Sequence, residues 1–298
     1  SEAEVSRRTG AAIVNALESK GYAVEGMELD PPHFAEAIRK SDCAIVFNAL
    51  HGRYGEDGVL QGTLDMLGIP YTGSGVLAAA VTMDKVMSKR VFLGAGISTP
   101  RSETFHRFEF DRELPSRIRK ALSLPVVIKA SSQGSSIGVA IVEKEEELEA
   151  ALKDAFRYDE EVLVEEFIRG KELTVAVWGD AREAQAFPVI EITTVSGRYD
   201  YASKYTKGAS THIIPARIPS EVTERVQQLA VDAFRACGCR GVARADMMLG
   251  EDMTPYVIEI NSMPGMTETS LVPDAGRAMG VEFPELCEKI LEMAGYEK

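Results

Sequence analysis

The sequence has few of the residues that build thiolate metal sites or disulfide frameworks. Its 298 residues include four cysteines, and none of them is spaced as a Cys-x-x-Cys pair. The four histidines are scattered, whereas zinc sites need Cys and His ligands at short, fixed spacings. Disulfides persist mainly in oxidising compartments, so we expect reduced thiols in a cytoplasmic protein.

Long apolar runs and a surplus of positive charge are also missing. No segment approaches the ~20 consecutive apolar residues of a transmembrane helix, and no basic leader with an apolar stretch opens the sequence. Lys and Arg number 33 against 46 Asp and Glu, which gives a net charge of −13. Nucleic-acid binding needs a basic face, so we expect no nucleic-acid partner and no membrane partner. A few local lysines are enough for a nucleotide.

The length and the order of patterns indicate several domains of mixed helix and sheet. A chain of 298 residues exceeds what one core usually supports. Residues 4–20 have apolar positions at helical spacing, Tyr22–Leu29 alternates like a strand, Ala44–Asn48 has the pattern of a buried strand, and Asp57–Leu67 is again helical. Such alternation predicts a parallel sheet flanked by helices at the start of the chain.

Near the end of the chain, the pattern predicts a hairpin that carries oxygen ligands. Two strand-like runs, Gly241–Leu249 and Tyr256–Ile260, are joined by a polar turn. Asp246 lies on the first run, while Glu259 and Asn261 close the second. If the strands pair, the three side chains converge at one end. Mg²⁺ prefers oxygen ligands and often takes one or two carboxylates beside nucleotide phosphates.

Arg244 lies two residues before Asp246 and therefore points to the same face of its strand. A cation beside a metal site suits a clamp for a phosphate in transfer. The turn Ser-Met-Pro-Gly-Met-Thr follows, and its glycine lets backbone amides approach a ligand closely. The alternative is a surface hairpin with solvated charges.

Three loops have the composition of ligand-binding segments. His51–Gly58 leaves a strand and enters a helix, which is where open α/β sheets bind ligands, although a single histidine is often structural. Ser131–Gly138 is rich in Gly and Ser, follows Lys129, and suits wrapping over phosphates without matching the Walker pattern. Residues 193–214 form a long polar loop of the kind that closes active sites. The alternatives are a flexible hairpin for the second loop and a disordered surface loop for the third.

The motifs together resemble those of the D-alanine–D-alanine ligases, which are ATP-grasp enzymes. The resemblance covers essentially the whole chain and rests on six separated motifs. They are Glu-Val-Ser, His-Gly-x-x-Gly-Glu-Asp-Gly, the two lysines at 85 and 129, the Gly/Ser loop, Lys-Tyr at 204–205, and Arg-x-Asp…Glu-x-Asn-x-x-Pro-Gly-Met-Thr. The last is the most specific of them.

The resemblance implies an ATP-grasp fold of α/β and α+β parts. It implies an N-terminal parallel α/β domain at residues 1–73, a central ATP-grasp domain at 74–164, and a C-terminal ATP-grasp domain at 165–298. Two departures are visible. The family begins with a strand and a glycine-rich turn ahead of Glu-Val-Ser, so we expect the first domain to lack a strand. Ala130 follows Lys129 where the family usually has proline.

By the same resemblance, each motif receives a role. The implied catalytic residues are Glu4, Ser135, Tyr205, Arg244 and Gly265. The implied substrate-binding residues are His51, Ser270 and Leu271, and the implied nucleotide-binding residues are Lys85, Lys129, Ser136, Glu165, Glu172 and Lys204. Asp246, Glu259 and Asn261 are the implied ligands of two Mg²⁺ or Mn²⁺ ions.

The implied reaction joins two D-alanines at the expense of ATP, through a D-alanyl phosphate, for peptidoglycan synthesis. The family is commonly dimeric, so a homodimer is expected. A sister ligase that makes D-alanyl-D-serine or D-alanyl-D-lactate uses the same machinery and stays an alternative. Another carboxylate–amine ligase of the superfamily and a catalytically inactive nucleotide-binding module are further alternatives.

Overall fold

The computed structural model describes residues 2–134, 137–194, 210–267 and 270–296. The α-helices are α1 (Ala3–Ser19), α2 (Phe34–Lys40), α3 (Val59–Leu67), α4 (Val76–Met83), α5 (Lys85–Gly94), α6 (Leu114–Ala121), α7 (Leu148–Ala155), α8 (Ser220–Ala236), α9 (Leu271–Ala278) and α10 (Phe283–Glu292). The strands are β1 (Ser102–His106), β2 (Val126–Ala130), β3 (Val139–Val142), β4 (Glu161–Glu166), β5 (Gly170–Gly179), β6 (Gln185–Ala186), β7 (Ile190–Thr194), β8 (Ser210–Ile213), β9 (Gly241–Gly250) and β10 (Pro255–Asn261). Single turns of 3₁₀ helix cover Arg107–Glu109 and Glu145–Glu147.

A four-stranded antiparallel sheet, in the order β1-β4-β2-β3, forms the middle of the chain. Its inner strands are largely apolar, with the sequences Val-Val-Ile-Lys-Ala in β2 and Glu-Val-Leu-Val-Glu-Glu in β4. Val126 and Ile128 of β2 pack against Ile118 of α6 and Leu148 of α7, and all four are fully buried. This core holds β2 and β4 in place, and these two strands carry Lys129 and Glu165.

A second antiparallel sheet has the order β10-β9-β5-β7-β8, with β6 paired to β5. Leu173, Val175 and Val177 of β5 belong to the core that packs against α8. Glu172 and Thr174 alternate with these residues along the strand and therefore point to the other face, which we call the site face.

The start of the chain folds onto its end. Ile13 and Leu17 of α1 share a core with Phe283 and Leu286 of α10. Tyr71 is completely buried and exchanges two backbone hydrogen bonds with Gly295, of 2.9 and 3.1 Å. No helix in the described ranges combines the length and the apolarity that crossing a bilayer requires.

The mixed helix and sheet composition is confirmed. The predicted hairpin is confirmed as β9 and β10, and the helices predicted at residues 4–20 and Asp57–Leu67 are confirmed as α1 and α3. The strand predicted at Tyr22–Leu29 is wrong, because this segment is mostly exposed and joins no ladder in the described chain. Ala44–Asn48 contributes one parallel bridge, from Val46 to Tyr71, instead of a full strand. The division at residues 73/74 and 164/165 stays a prediction.

Candidate active site

Strand register brings the acidic and basic residues of the hairpin together on the site face. Thr174 lies opposite Asp246 across β5 and β9. Across β9 and β10, Asp246 lies opposite Glu259 and Arg244 lies opposite Asn261. The pairing shifts by one residue between Val257 and Glu259, as a β-bulge does. With this shift, Val257 and Ile260 stay in the core, which leaves Glu259 and Asn261 for the other face.

Arg244 and Asp246 form a bidentate ion pair. Arg244 Nε donates to Asp246 Oδ1 at 2.7 Å and Nη2 donates to Oδ2 at 2.6 Å. Thr174 Oγ1 also donates to Asp246 Oδ1, at 2.7 Å. Paired hydrogen bonds of this kind fix the plane of a carboxylate. The Asp246 side chain is therefore held in one orientation, with its guanidinium partner beside it.

Lys85 connects this cluster to the Gly/Ser loop. It is the first residue of α5, where the Asp84 side chain caps the helix by accepting from the Met87 amide at 2.9 Å. The Lys85 ammonium lies 3.4 Å from Glu259 Oε2 and donates to the Gln133 carbonyl at 2.7 Å. Its backbone amide donates to the carbonyl of Ser131 at 2.9 Å. The loop that follows Lys129 is thereby fastened beside the carboxylates of the hairpin.

Lys129 of β2 is bound to Glu165 of β4 inside the middle sheet. Its ammonium lies 2.5 Å from Glu165 Oε2, and the ammonium of Lys89 lies 2.5 Å from Oε1. Burial opposes ionisation of Glu165, but the two lysines outweigh it and hold the pKa of this carboxyl below its ordinary value. Glu165 is only 1 % exposed. Both of its oxygens face lysines, so we expect Glu165 to act on a bound nucleotide through Lys129.

The N-terminal helix brings Glu2 to the site. A Cβ atom at Gly52, which has a φ of +74°, would lie 2.5 Å from Glu2 Oε2, and one at Gly134 would lie 3.3 Å from the same oxygen. The carboxylate of Glu2 therefore lies between the His51–Gly58 loop and the Gly/Ser loop. Glu4, which the sequence motif pointed to, has a side chain that is 78 % exposed and 3.9 Å from Arg7. The structure thus places Glu2, and not Glu4, at the site.

His51 is held between the first helix and the turn after β10. Thr9 Oγ1 lies 3.1 Å from His51 Nε2, and the Ser6 hydroxyl accepts a hydrogen bond from the His51 amide at 2.9 Å. The Met263 backbone forms a hydrogen bond with the imidazole ring. Burial lowers the pKa of His51 below its ordinary value. A neutral imidazole is the form that such an environment favours.

Glu56 is the glutamate of the His-Gly-x-x-Gly-Glu-Asp-Gly motif, and the sequence analysis assigned no role to it. Its carboxylate accepts from the Gly52 amide at 2.5 Å. Burial raises the pKa of Glu56 to about 8, against the effect of this hydrogen bond, and the nearby charge of Glu2 adds to the rise. Arg244 and Glu259 also act on this carboxyl electrostatically, which places Glu56 on the same side of the molecule as the hairpin cluster.

The turn after β10 leads to the start of α9. Ser270 is the residue before the helix, and its hydroxyl accepts from the Thr267 amide at 3.1 Å. A Cβ atom at Gly265 would lie 3.1 Å from the same hydroxyl, so glycine keeps this turn open. Leu271 begins the helix, where backbone N–H groups lack helical partners and favour an anion.

Most of the predicted residues therefore lie along one connected set of contacts and strand pairs. The set runs from Glu2 and His51, through Lys85 and the hairpin residues, to the turn before α9. Glu172 lies on the site face of β5, opposite Met248. Ser135, Ser136, Lys204 and Tyr205 lie outside the residues that the structure describes.

The candidate metal ligands are few. In the part of the chain that the structure describes, no three His, Cys, Asp or Glu side chains are grouped as a metal site. Asp246 and Glu259 lie opposite each other, and the Asn261 amide oxygen accepts from the Met263 amide at 3.0 Å. Two carboxylates and an amide fit a hard cation whose other ligands are phosphates and water.

Comparison with known proteins agrees with this geometry. Two family models match, described as the D-ala D-ala ligase C-terminus at residues 91–292 and the D-ala D-ala ligase N-terminus at residues 29–74. The D-alanine–D-alanine ligase of Pelotomaculum thermopropionicum is 47 % identical over 298 residues, covering 99 % of this chain and 93 % of that protein. The ligase of Desulforudis audaxviator is 49 % identical over 294 residues, covering 98 % of this chain and 94 % of that protein.

Comparison with solved structures confirms the predicted ATP-grasp fold. The D-alanine–D-alanine ligase of Bacillus anthracis complexed with ATP superposes with a TM-score of 0.84 at 32 % identity, covering 98 % of this chain and 93 % of that one. The VanG D-Ala:D-Ser ligase of Enterococcus faecalis superposes with a TM-score of 0.83 at 31 % identity, covering 98 % and 96 %. This chain belongs to the D-alanine–D-alanine ligase family.

Proposed function

We propose that this chain ligates two D-alanines into D-alanyl-D-alanine, with conversion of ATP to ADP and phosphate. The observation that carries the proposal is the contact of Lys85 with Glu259, beside the Arg244–Asp246 pair. Phosphate-binding cations and oxygen ligands for a divalent ion meet there, on a chain whose family is D-alanine–D-alanine ligase. Phosphoryl transfer asks mainly for such positioning and charge neutralisation.

In the first step, a carboxylate oxygen of the first D-alanine attacks the γ-phosphorus of ATP. ADP leaves, and the product is D-alanyl phosphate, an activated acyl group. Glu2, between two glycine loops, has the charge to hold the ammonium of this D-alanine, with His51 beside it. Lys85 and Lys129 neutralise the phosphate oxygens, as lysine point charges do. By the family resemblance, Glu172 on the site face binds the ribose hydroxyls of the nucleotide.

In the second step, the ammonium of the second D-alanine loses one proton to solvent, and the resulting amine attacks the acyl carbon and gives a second proton to the departing phosphate. Phosphate leaves, and a peptide bond forms. Arg244 and the backbone amide of Gly265 stabilise the oxyanion that develops, and one such donor is worth about 2.7–4 kcal/mol. Ser270 and the amide of Leu271 bind the carboxylate of the second D-alanine at the start of α9.

Two divalent ions, Mg²⁺ or Mn²⁺, complete the proposed site. Asp246, Glu259 and Asn261 would hold them, and the ions would supply positive charge to the phosphates. Asp246 is oriented for this by Arg244 and Thr174, and ligands oriented by neighbours bind metals more tightly.

The remaining assignments rest on the family resemblance. Ser135, Ser136, Lys204 and Tyr205 would complete the nucleotide site and the closure over it. The division into domains at 1–73, 74–164 and 165–298 belongs to this proposal, as do a cytoplasmic location, a homodimer and a role in peptidoglycan synthesis.

A coupled assay of ADP release tests the proposal. The purified chain is given Mg²⁺-ATP and D-alanine, L-alanine, D-alanine with D-serine, or D-alanine with D-lactate, and the products are identified by mass spectrometry. We expect ADP release and a dipeptide with D-alanine alone. A mixed product made in preference to D-alanyl-D-alanine would favour the sister activity, which the VanG structure makes the natural competitor. ATP binding without D-alanine-dependent ADP release would contradict the proposal.

A further inference from the structure

Lys89 is a buried lysine that none of the predicted roles includes. It lies one turn after Lys85 in α5 and is 4 % exposed. Its ammonium donates to Thr99 Oγ1 at 2.7 Å and to the Pro100 carbonyl at 3.0 Å, and it forms the 2.5 Å ion pair with Glu165. Two of its three N–H donors thus serve Thr99 and Pro100, and the Glu165 carboxylate lies at ion-pair distance from the same ammonium. The ammonium is therefore enclosed by oxygens of the protein itself.

Lys129, the other partner of Glu165, is bound differently. Within the described residues, the carboxylate of Glu165 is the recorded partner of its ammonium, which leaves donors that can reach a ligand. Two residues further along, Ser131 is fastened to the start of α5 through the Lys85 amide and through Asp84, whose Oδ1 accepts from the Ser131 hydroxyl at 2.7 Å. Lys129 thus lies at the base of the loop that Lys85 also contacts.

The charges of the three residues decide what Lys89 does. Glu165 with Lys129 alone would be a neutral pair, and a phosphate would gain little net attraction from it. With Lys89 added, the trio carries one net positive charge, and Glu165 is shared between two cations. Burial lowers the pKa of Lys89, while Glu165 opposes this effect.

We infer that Lys89 is a positioning residue for ATP, which neutralises Glu165 so that Lys129 stays available to the nucleotide phosphates. This inference rests on the proposed function, because it takes ATP as the ligand of Lys129. Lys89 also helps to hold Glu165 and Lys129 in position. Thr99, which accepts from Lys89, donates to the Val257 carbonyl of β10 at 2.7 Å, so the lysine is tied to the strand that carries Glu259.

Four proteins test the inference: wild type, Lys89→Met, Glu165→Gln and the double variant. Their trios carry net charges of +1, 0, +2 and +1. Calorimetry with Mg²⁺-ATP gives Kd, and ADP release gives kcat and KM for ATP. We expect Lys89→Met to raise Kd and KM by about tenfold or more, since a unit charge at short range in a protein is worth a few kcal/mol. We expect a smaller change in kcat, and recovery of most of the lost affinity in the double variant.

A second trio in the same chain provides a matched control. Glu191, 3 % exposed, is bound by Lys171 at 2.9 Å and by Arg217 at 2.7 Å. Lys171 alternates with Glu172 along β5 and so points away from the site face. Lys171→Met therefore removes one of two cations from a buried glutamate without touching the nucleotide site. We expect it to leave the Kd for ATP unchanged while changing stability by a similar amount.

The results distinguish a failure of this inference from a failure of the proposed function. If wild type fails to bind ATP, the proposed function fails. If wild type binds ATP and Lys89→Met binds it equally well, or if the double variant is as weak as Lys89→Met, the inference is wrong and Lys89 only supports the fold. If Lys89→Met does not fold, Glu165→Gln against wild type still decides the matter: raising the net charge of the trio from +1 to +2 should lower the Kd for ATP, and an unchanged Kd would overturn the inference.

Discussion

Replacement of Arg244 by alanine tests the chemistry of the proposed oxyanion site. The guanidinium makes two hydrogen bonds of 2.7 and 2.6 Å to Asp246, so the change removes a positive donor and also frees a proposed metal ligand. Loss of one oxyanion donor costs about 2.7–4 kcal/mol, which lowers kcat about 10²–10³-fold. Loss of support for a metal ligand lowers metal affinity by about 10–100-fold.

The two effects are separated by titrating Mg²⁺ in the ADP-release assay. An oxyanion role predicts a loss of kcat that persists at saturating Mg²⁺, with the Kd for ATP nearly unchanged. Thr174→Val is the matched control, because it removes the other hydrogen bond to Asp246, of 2.7 Å, and keeps the guanidinium. We expect this control to shift the Mg²⁺ requirement and to keep most of kcat at saturation.

Two results would refute the reasoning. Recovery of the Arg244→Ala rate at high Mg²⁺ would mean that the arginine acts only by orienting Asp246. A mild loss of kcat together with much weaker ATP binding would mean that it contacts the nucleotide instead.

Three further predictions follow from other residues. Glu2→Gln should raise KM for D-alanine by tenfold or more, while Glu4→Gln should have little effect; equal kinetics of the two variants would contradict the placement of Glu2. Hydrogen bonds from Arg217 lower the pKa of Glu191 from its ordinary 4.5 to about 2, so its contribution to stability is present above pH 4.5 and is lost as the pH falls towards 2. By linkage this contribution is at most about 3 kcal/mol. In urea unfolding, the Glu191→Gln variant should therefore lose less free energy of unfolding between pH 5 and pH 3 than wild type does. Parallel pH profiles of the two proteins would contradict this prediction. Leu148→Ala, at a fully buried position, should cost about 2–5 kcal/mol of unfolding free energy, and a cost below 1 kcal/mol by the same assay would show that the middle core is loosely packed.

Sequence reasoning worked best where the interacting residues are close in the chain. The alternation in Gly241–Leu249 predicted that Arg244 and Asp246 share one face, and the polar turn predicted the hairpin that the structure confirms. The sequence did not predict the β-bulge between Val257 and Glu259, which decides that Glu259 lies opposite Asp246.

The failures have physical causes. Glu2 and Glu4 are two residues apart at the start of a helix, so they point in different directions, and only the fold decides which one meets the loops. Lys89 and Glu165 are 76 positions apart, and nothing local marks a buried lysine as the partner of a distant glutamate. The alternation in Tyr22–Leu29 predicted a strand, but a strand requires a hydrogen-bonded neighbour.

The packing of α1 against α10 has a consequence for how the protein is made. Ile13 and Leu17 on the apolar face of α1 share a core with Phe283 and Leu286, about 270 residues later. During synthesis, this part of the face stays exposed until α10 has left the ribosome. Contacts of such high sequence separation form slowly, and exposed apolar surface promotes aggregation in the meantime. We therefore expect chaperones to bind α1 in the nascent chain.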